Sequence, residues 1–86
     1  MNMVDDEVSS DSGWVTLPIG AHTGMVVFNN SPDVEVRYRF GTGNSVGIIF
    51  KEGEDISVDV DIEVKVSPKY GALSNTATIT RILLIK

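Results

Sequence analysis

The sequence predicts an all-β fold, a small antiparallel β-sandwich or jelly-roll-like barrel of about seven strands. From Trp14 onward, short apolar stretches alternate with turn residues at a spacing of roughly ten residues. Apolar residues also occupy every second position from Ile56 to Val66, so they share one face of an extended chain. We find no convincing helical periodicity. With 86 residues, the chain has room for one domain around one core.

Residues 1–12 differ from the rest of the chain because they are polar, acidic and rich in serine, without periodicity. Such a segment buries too little surface to offset the entropy lost on ordering, so we expect a flexible tail. Two interpretations of the tail remain open, a solubilising terminus and a tether that orders on a partner surface. The single β-sandwich domain is then expected to span residues 13–86.

The predicted strands follow one another along residues 13–86. The alternating segment from Asp55 to Val66 exceeds the usual strand length of about five or six residues, so we expect it to break near residues 59–61 into two strands that can serve both sheets. A turn at residues 29–33 introduces an alternating strand from Val34 to Phe40. The remaining predicted strands are Trp14 to Leu17, Gly24 to Phe28, Val46 to Phe50 and Thr76 to Ile85.

The last predicted strand is apolar on both of its faces. One face carries Ala77, Ile79, Leu83 and Ile85, and the other carries Ile82 and Leu84. Two thin sheets bury only one face each, so a strand of this kind needs a second cover. Two interpretations remain open: a contact with another subunit or a host particle, or a strand that crosses from one sheet to the other. For the first, the predicted contact residues are Arg81, Ile82, Leu83, Leu84 and Ile85.

Charge and cysteine content exclude several partners and chemistries. The formal net charge is −5, with seven basic residues scattered among twelve acidic ones, so no clustered cationic surface is predicted and we expect no nucleic-acid partner. The absence of cysteine excludes disulfides and thiolate metal sites. Because so small a domain usually needs extra stabilisation, self-association is the favoured source.

Targeting signals are not recognisable in the sequence. The first residues lack the basic and apolar regions of a secretory signal peptide, and no apolar run approaches the ~20 residues that span a membrane. We therefore expect a soluble protein made without a Sec signal, and no membrane partner.

Catalytic chemistry is not predicted. His22 is the single histidine and lies in a turn-like stretch at residues 18–24, where we interpret it as exposed or structural. No cysteine nucleophile and no Gly-x-Ser-x-Gly turn is present. The expectation is a protein that is not an enzyme and has no cofactor.

An acidic ladder is the best candidate for a cation site, formed by Asp55, Asp59, Asp61 and Glu63. Carboxylates two residues apart on a strand are about 6 to 7 Å from each other, too far to chelate one ion, and the glycine-containing calcium loop is missing. We interpret the ladder as a solvated face that pairs with outward basic residues, each pair contributing ~0.2 to 1 kcal/mol. Those basic residues are Arg37, Arg39 and Lys65, and no metal site is expected.

Five aromatic residues are assigned to the core and not to a sugar-stacking platform, because four of the five lie in alternating or apolar stretches: Trp14, Phe28, Tyr38, Phe40 and Phe50. Tyr70 lies instead in a predicted loop. Together with His22, it forms a possible ligand loop, which supports an alternative function as a glycan- or cation-binding β-sandwich module.

The order of turns and strands carries one family resemblance. First, an Asn-x-Ser turn at residues 29–31 precedes an alternating strand. Second, residues 47–54 contain a glycine, an apolar strand and then x-Gly-Glu. Third, a Val-x-Val strand follows at residues 64–66. With a Gly-Trp start and a threonine-rich last strand, residues 13–80 resemble small β-sandwich virion accessory proteins of tailed bacteriophages, of the head-decoration or tail-associated kind. The apolar stretch from Thr80 to Ile85 departs from that pattern and leaves the attachment mode open.

The resemblance implies a non-enzymatic structural protein of a phage particle. Proteins of that family are commonly symmetric homo-oligomers, so the expected partners are further copies of the chain and a capsid or tail protein. The expected location is the virion, assembled in the host cytoplasm.

Overall fold

The computed structural model describes residues 2–40, 46–69 and 75–84. Over these ranges the chain forms eight strands and a single-turn 3₁₀ helix at Ser10–Ser12, with no α-helix. The strands are β1 (Asn2–Ser9), β2 (Val15–Leu17), β3 (Gly24–Asn29), β4 (Val34–Arg39), β5 (Ile48–Ile49), β6 (Asp55–Val58), β7 (Ile62–Pro68) and β8 (Thr76–Leu84). The all-β prediction is confirmed, with one strand more than the sequence predicted.

The strands form two antiparallel sheets that pack together as two layers. Sheet A has the order β1-β8-β3-β6, and sheet B has the order β2-β7-β4-β5. Successive strands lie in different sheets everywhere except at the β4–β5 hairpin, so most connections cross from one layer to the other. Each sheet therefore has an inner face against the other sheet and an outer face that none of the described strands covers.

The core is built from the residues that alternation turns inward. Ile62, Val64 and Val66 of β7 are almost fully buried, and Ala77 and Ile79 of β8 face them from sheet A with no exposed surface. Burying a valine or isoleucine side chain stabilises the fold by about 1.5 to 3 kcal/mol. The outward residues between them remain available to solvent or to a partner.

The predicted break in the long alternating segment is confirmed. β6 belongs to sheet A and β7 to sheet B, and the chain reverses at residues 59–61. The backbone N–H of Ile19 donates to Oδ1 of Asp61 over 2.8 Å and holds this reversal in place. Val60 is the exception to the predicted apolar face, because it lies in the reversal and is 47% exposed.

The prediction of a flexible tail is wrong for residues 2–12. β1 pairs antiparallel with β8 along its whole length, from Asn2 opposite Leu83 to Ser9 opposite Thr76. Val8 is turned inward and is 3% exposed, so the segment has an apolar side that its acidic composition conceals. The free edge of β8 supplies the hydrogen-bonding partners that the isolated segment lacks.

β8 is an inner strand of sheet A with a strand on either side of it, and this position explains part of its apolar character. β8 lies between β1 and β3 and pairs with both in sheet A. The interpretation that this strand crosses between the sheets is therefore wrong for residues 76–84. The other predicted strand that differs is Val46 to Phe50, which is reduced to Ile48–Ile49. Phe50 still donates its backbone N–H to the carbonyl of Val36 over 2.8 Å, and its side chain is buried in the core.

Candidate functional site

The outer face of sheet A carries a continuous group of apolar side chains. Register places Met3 beside Ile82, and Ile82 beside Val26, in one row across β1, β8 and β3. Phe28 and Leu84 lie two residues farther along β3 and β8, on the same face. Met3 is 69% exposed and Leu84 is 40% exposed, whereas the other three are half-buried. We call these five residues the apolar patch.

Acidic residues border the apolar patch. The neighbouring row across sheet A runs from Asp5 through Thr80 and Phe28 to Asp55, and Glu7 lies in the row beyond. Asp5 accepts a hydrogen bond of 2.7 Å from the hydroxyl of Thr80. No lysine or arginine lies on the outward positions of β1, β3, β6 and β8. The outer face of sheet A is thus apolar and anionic over its described length.

The outer face of sheet B has the opposite charge balance. Its outward basic side chains are Arg37, Arg39 and Lys65, and its outward acidic ones are Glu35 and Glu63. Arg39 Nε donates to Glu63 Oε1 over 2.9 Å, which confirms the predicted cross-strand pairing for this pair. Arg37 contacts Glu35 at 3.4 Å along the same strand. At the described strand positions, three basic side chains against two acidic ones give this face a net positive charge.

Trp14 lies across the outer face of sheet B, so its assignment to the core is wrong. The guanidinium carbon of Arg39 is 4.1 Å from the centre of the indole ring, a cation–π contact. Gly47 lies directly against the ring, because a Cβ there would be 2.6 Å from Cη2 of Trp14. The indole and the guanidinium together form an amphipathic surface.

The other aromatic residues divide between core and surface. Phe50 is 1% exposed, and Tyr38 packs against it edge-on with the ring centres 5.3 Å apart, as predicted. Phe40 is 50% exposed, and Phe28 belongs to the apolar patch, so the core assignment is wrong for both.

The predicted contact segment of β8 is only partly on the surface. Ile82 and Leu84 lie on the outer face as members of the apolar patch. Arg81 and Leu83 have the inward parity and are 9% and 8% exposed, so their prediction as contact residues is wrong. Ile85 lies outside the described residues.

Of the two residues of the predicted ligand loop, the structure describes only His22. Nδ1 of His22 lies 3.1 Å from the carbonyl oxygen of Ile19, and the backbone N–H of His22 donates to the same oxygen. Tyr70 lies outside the described residues. Lys69, which precedes it, donates to the carbonyl of Pro32 over 2.8 Å, at the end of the sandwich opposite to His22.

The acidic ladder is divided between the two sheets. Asp55 lies in β6 of sheet A and Glu63 in β7 of sheet B, with Asp61 held by the N–H of Ile19. Among the residues that the structure describes, no group of three or more His, Asp or Glu side chains is placed to hold a metal ion. The same residues include no helix long and apolar enough to cross a membrane.

A groove of about 580 Å³ opens at the edge of sheet B. Val34 and Val36 of β4 and Phe50 supply its apolar wall, and Lys51 and Glu52 lie at its margin. The sequence did not predict this groove. It forms where β5 ends after two residues, so that the first residues of β4 pair with β7 on one edge and have no described strand on the other.

No protein family model, curated protein or solved structure matches this chain.

Proposed function

We propose that this chain is a non-enzymatic structural protein of a phage particle, which binds a symmetric capsid or tail surface as a homo-oligomer. The proposal combines the resemblance of residues 13–80 to virion accessory proteins with one structural observation. That observation is the apolar patch, which occupies the outer face of a sheet. Contiguous apolar surface of this kind is typical of protein contacts.

The outer face of a sheet suits a protein partner better than a small molecule. Small-molecule sites are concave and bury most of their ligand, whereas the apolar patch lies on the outer face of a layer. A homo-oligomer presents the same contact several times to a repeating lattice, so its overall affinity exceeds that of one subunit. Binding to the assembled particle and not to free subunits then stabilises the particle.

The experiment is co-sedimentation of the purified chain with phage particles from its source, followed by electron microscopy of the pellet. We expect the chain to pellet saturably and to occupy symmetric positions. Leu84→Glu, which places a carboxylate in the apolar patch, is expected to lower the pelleted fraction at least tenfold. Asp11→Asn, an exposed change outside both sheets, is the matched control and is expected to leave it unchanged. A wild-type chain that stays in the supernatant at saturating particle concentration contradicts the proposal.

The alternative function, a glycan- or cation-binding module, is favoured by the groove beside β4. Its carboxylates and ammonium groups, Glu35, Glu52, Lys51 and Lys69, line an opening of a size that fits a sugar unit. Thermal unfolding with and without calcium, together with a glycan array, tests this alternative. A specific glycan signal that Glu52→Gln abolishes would favour it over the structural function.

A further inference from the structure

We propose that copies of this chain associate head to tail, with the outer face of sheet A in one copy against the outer face of sheet B in the next. This inference deepens the proposed function, since it names the contact that builds the homo-oligomer. It rests on that function only in taking self-association as its starting point.

Charge decides between the possible pairings of the two faces. Sheet A presents Asp5, Glu7 and Asp55 without an outward basic residue in its described strands. Two copies that met through sheet A would therefore bring six carboxylates together around the apolar patches. Sheet B has a net positive outer face, and Lys65 there is exposed. Opposite potentials steer association and suppress the like-charged pairing.

Pairing sheet A of one copy with sheet B of the next also brings apolar side chains of the two faces together. The apolar patch of sheet A would cover Trp14 and Ile49 on sheet B, and Ile49 is 41% exposed. Arg37 lies in the same row as Ile49. Tryptophan and arginine are the side chains most enriched at the energetic centres of protein interfaces.

The smaller of the two faces limits the area that one contact can bury. The four strands of sheet B contain only 3, 7, 6 and 2 residues. At about 3.3 Å per residue and about 4.8 Å between strands they give a face of about 300 Å², so one contact buries about 600 Å² in total. This value lies well below that of stable standard interfaces, so a single contact is expected to be weak and transient. Association is therefore expected to depend on concentration, with a Kd between the micromolar and millimolar range.

A head-to-tail contact leaves one complementary face free at each end of a dimer. Such contacts continue until a rotation closes them into a ring, or they extend as an open stack. An association of like faces stops at the dimer. The mass distribution thus distinguishes the two arrangements.

Two variants with exposed substitutions test the arrangement. Met3→Glu with Leu84→Glu alters only the outer face of sheet A, and Ile49→Glu with Lys65→Glu alters only that of sheet B. Sedimentation velocity over a hundredfold concentration range measures the mass of each variant and of their mixture. Far-ultraviolet circular dichroism and thermal unfolding establish whether the variants fold. If a double variant does not fold, the single variant Met3→Glu replaces it for sheet A, and Lys65→Glu replaces it for sheet B.

We expect the wild-type chain to exceed the dimer mass as concentration rises and each variant alone to remain a monomer of 9.3 kDa. An equimolar mixture is expected to form a one-to-one dimer and nothing larger. In that mixture one intact sheet A face meets one intact sheet B face, while the two altered faces repel each other.

Three outcomes overturn the inference: a wild-type chain that stays monomeric, a sheet B variant that still dimerises, or a mixture that forms no dimer. Failure of the proposed function is distinguishable from these. A chain that oligomerises as described but never sediments with particles contradicts only the phage assignment, whereas a monomeric wild-type chain that does sediment contradicts only the head-to-tail contact.

Discussion

The guanidinium of Arg81 binds both carboxylate oxygens of Asp6, with Nε 2.6 Å from Oδ2 and Nη2 3.2 Å from Oδ1. Its Nη1 donates to the carbonyl oxygen of Pro18 over 2.7 Å. Arg81 and Asp6 lie on β8 and β1 of sheet A, whereas Pro18 directly follows β2 of sheet B. One side chain therefore joins the N-terminal strand to its own sheet and to the opposite layer.

Replacing Arg81 alone is expected to destabilise the fold. Arg81→Met leaves the carboxylate of Asp6 and the carbonyl of Pro18 without this partner in a largely buried position, which we expect to lower the free energy of unfolding by about 2 to 4 kcal/mol. Urea denaturation measures this change. The double variant Arg81→Met with Asp6→Leu is expected to recover most of it, because no unpaired charge remains.

The matched control is Arg37→Met, whose ion pair with Glu35 is longer, at 3.4 Å, with side chains that are 32% and 40% exposed. We expect this change to cost less than about 1 kcal/mol. Equal effects of the two arginine substitutions would contradict the role of the Arg81 pair.

A second long-range connection lies at the turn between β3 and β4. Asn29 is 1% exposed. Its Nδ2 donates to the carbonyl of Phe50 over 2.8 Å, and its Oδ1 accepts from the N–H of Ser31 over 3.0 Å. The Ser31 hydroxyl in turn accepts from the N–H of Thr78 over 2.7 Å. The Asn-x-Ser turn thus joins three separate parts of the chain.

Asn29→Ala is expected to lower the free energy of unfolding by about 2 to 4 kcal/mol, because it leaves a buried carbonyl and a buried N–H without partners. Chemical denaturation measures the loss. Asn30→Ala is the neighbouring control: Asn30 is exposed and its side chain donates a hydrogen bond to the hydroxyl of Thr80, so its loss is expected to cost about 1 kcal/mol or less. If Asn30→Ala were the more damaging change, the turn would not depend on the buried amide.

Local patterns in the sequence predicted the middle of the chain well. Strict alternation over residues 55–66 predicts directly which side chains share a strand face. Because this alternating segment is longer than a usual strand, its length correctly predicted the break between β6 and β7. The five-residue apolar stretch from Val46 to Phe50 carries no alternation. Its pattern therefore does not show that Phe50 alone turns into the core.

The first strand illustrates what local patterns do not contain. β1 is acidic, and the burial of its inner side depends on β8, about 75 residues away in sequence. A signal was nevertheless present, because Arg81 has the same parity as the apolar residues Ile79 and Leu83. An arginine at a buried strand position needs an acidic partner, and the cluster at residues 5–7 was an available source.

The fluorescence of the single tryptophan is expected to report on Gly47. Gly47 has φ +79°, and a Cβ there would be 2.6 Å from Trp14 and 3.1 Å from the carbonyl of Tyr38. Gly47→Ala is expected to displace the indole from under Arg39 and to lower the free energy of unfolding by about 2 kcal/mol. The displaced ring becomes more hydrated, so its emission maximum is expected to move to longer wavelength.

Gly53→Ala is the control for the backbone contribution. Gly53 has φ +82°, and a Cβ there would have no other atom within 4 Å, so only the conformational cost of about 1 kcal/mol applies. Its tryptophan emission is expected to equal that of the wild type. An unchanged spectrum in Gly47→Ala would show that Trp14 does not rest against this glycine.

Two neighbouring substitutions in β1 distinguish a structural strand from a solvated tail. Val8 is turned inward and 3% exposed, so Val8→Ala removes buried methyl groups and is expected to cost about 2 kcal/mol. Glu7 is exposed on the outer face, so Glu7→Ala is expected to change the free energy of unfolding by no more than about 0.5 kcal/mol. Urea denaturation of both variants measures the difference. A flexible tail would make both substitutions neutral, because a side chain that is solvated in the folded and unfolded states contributes nothing to the free energy between them.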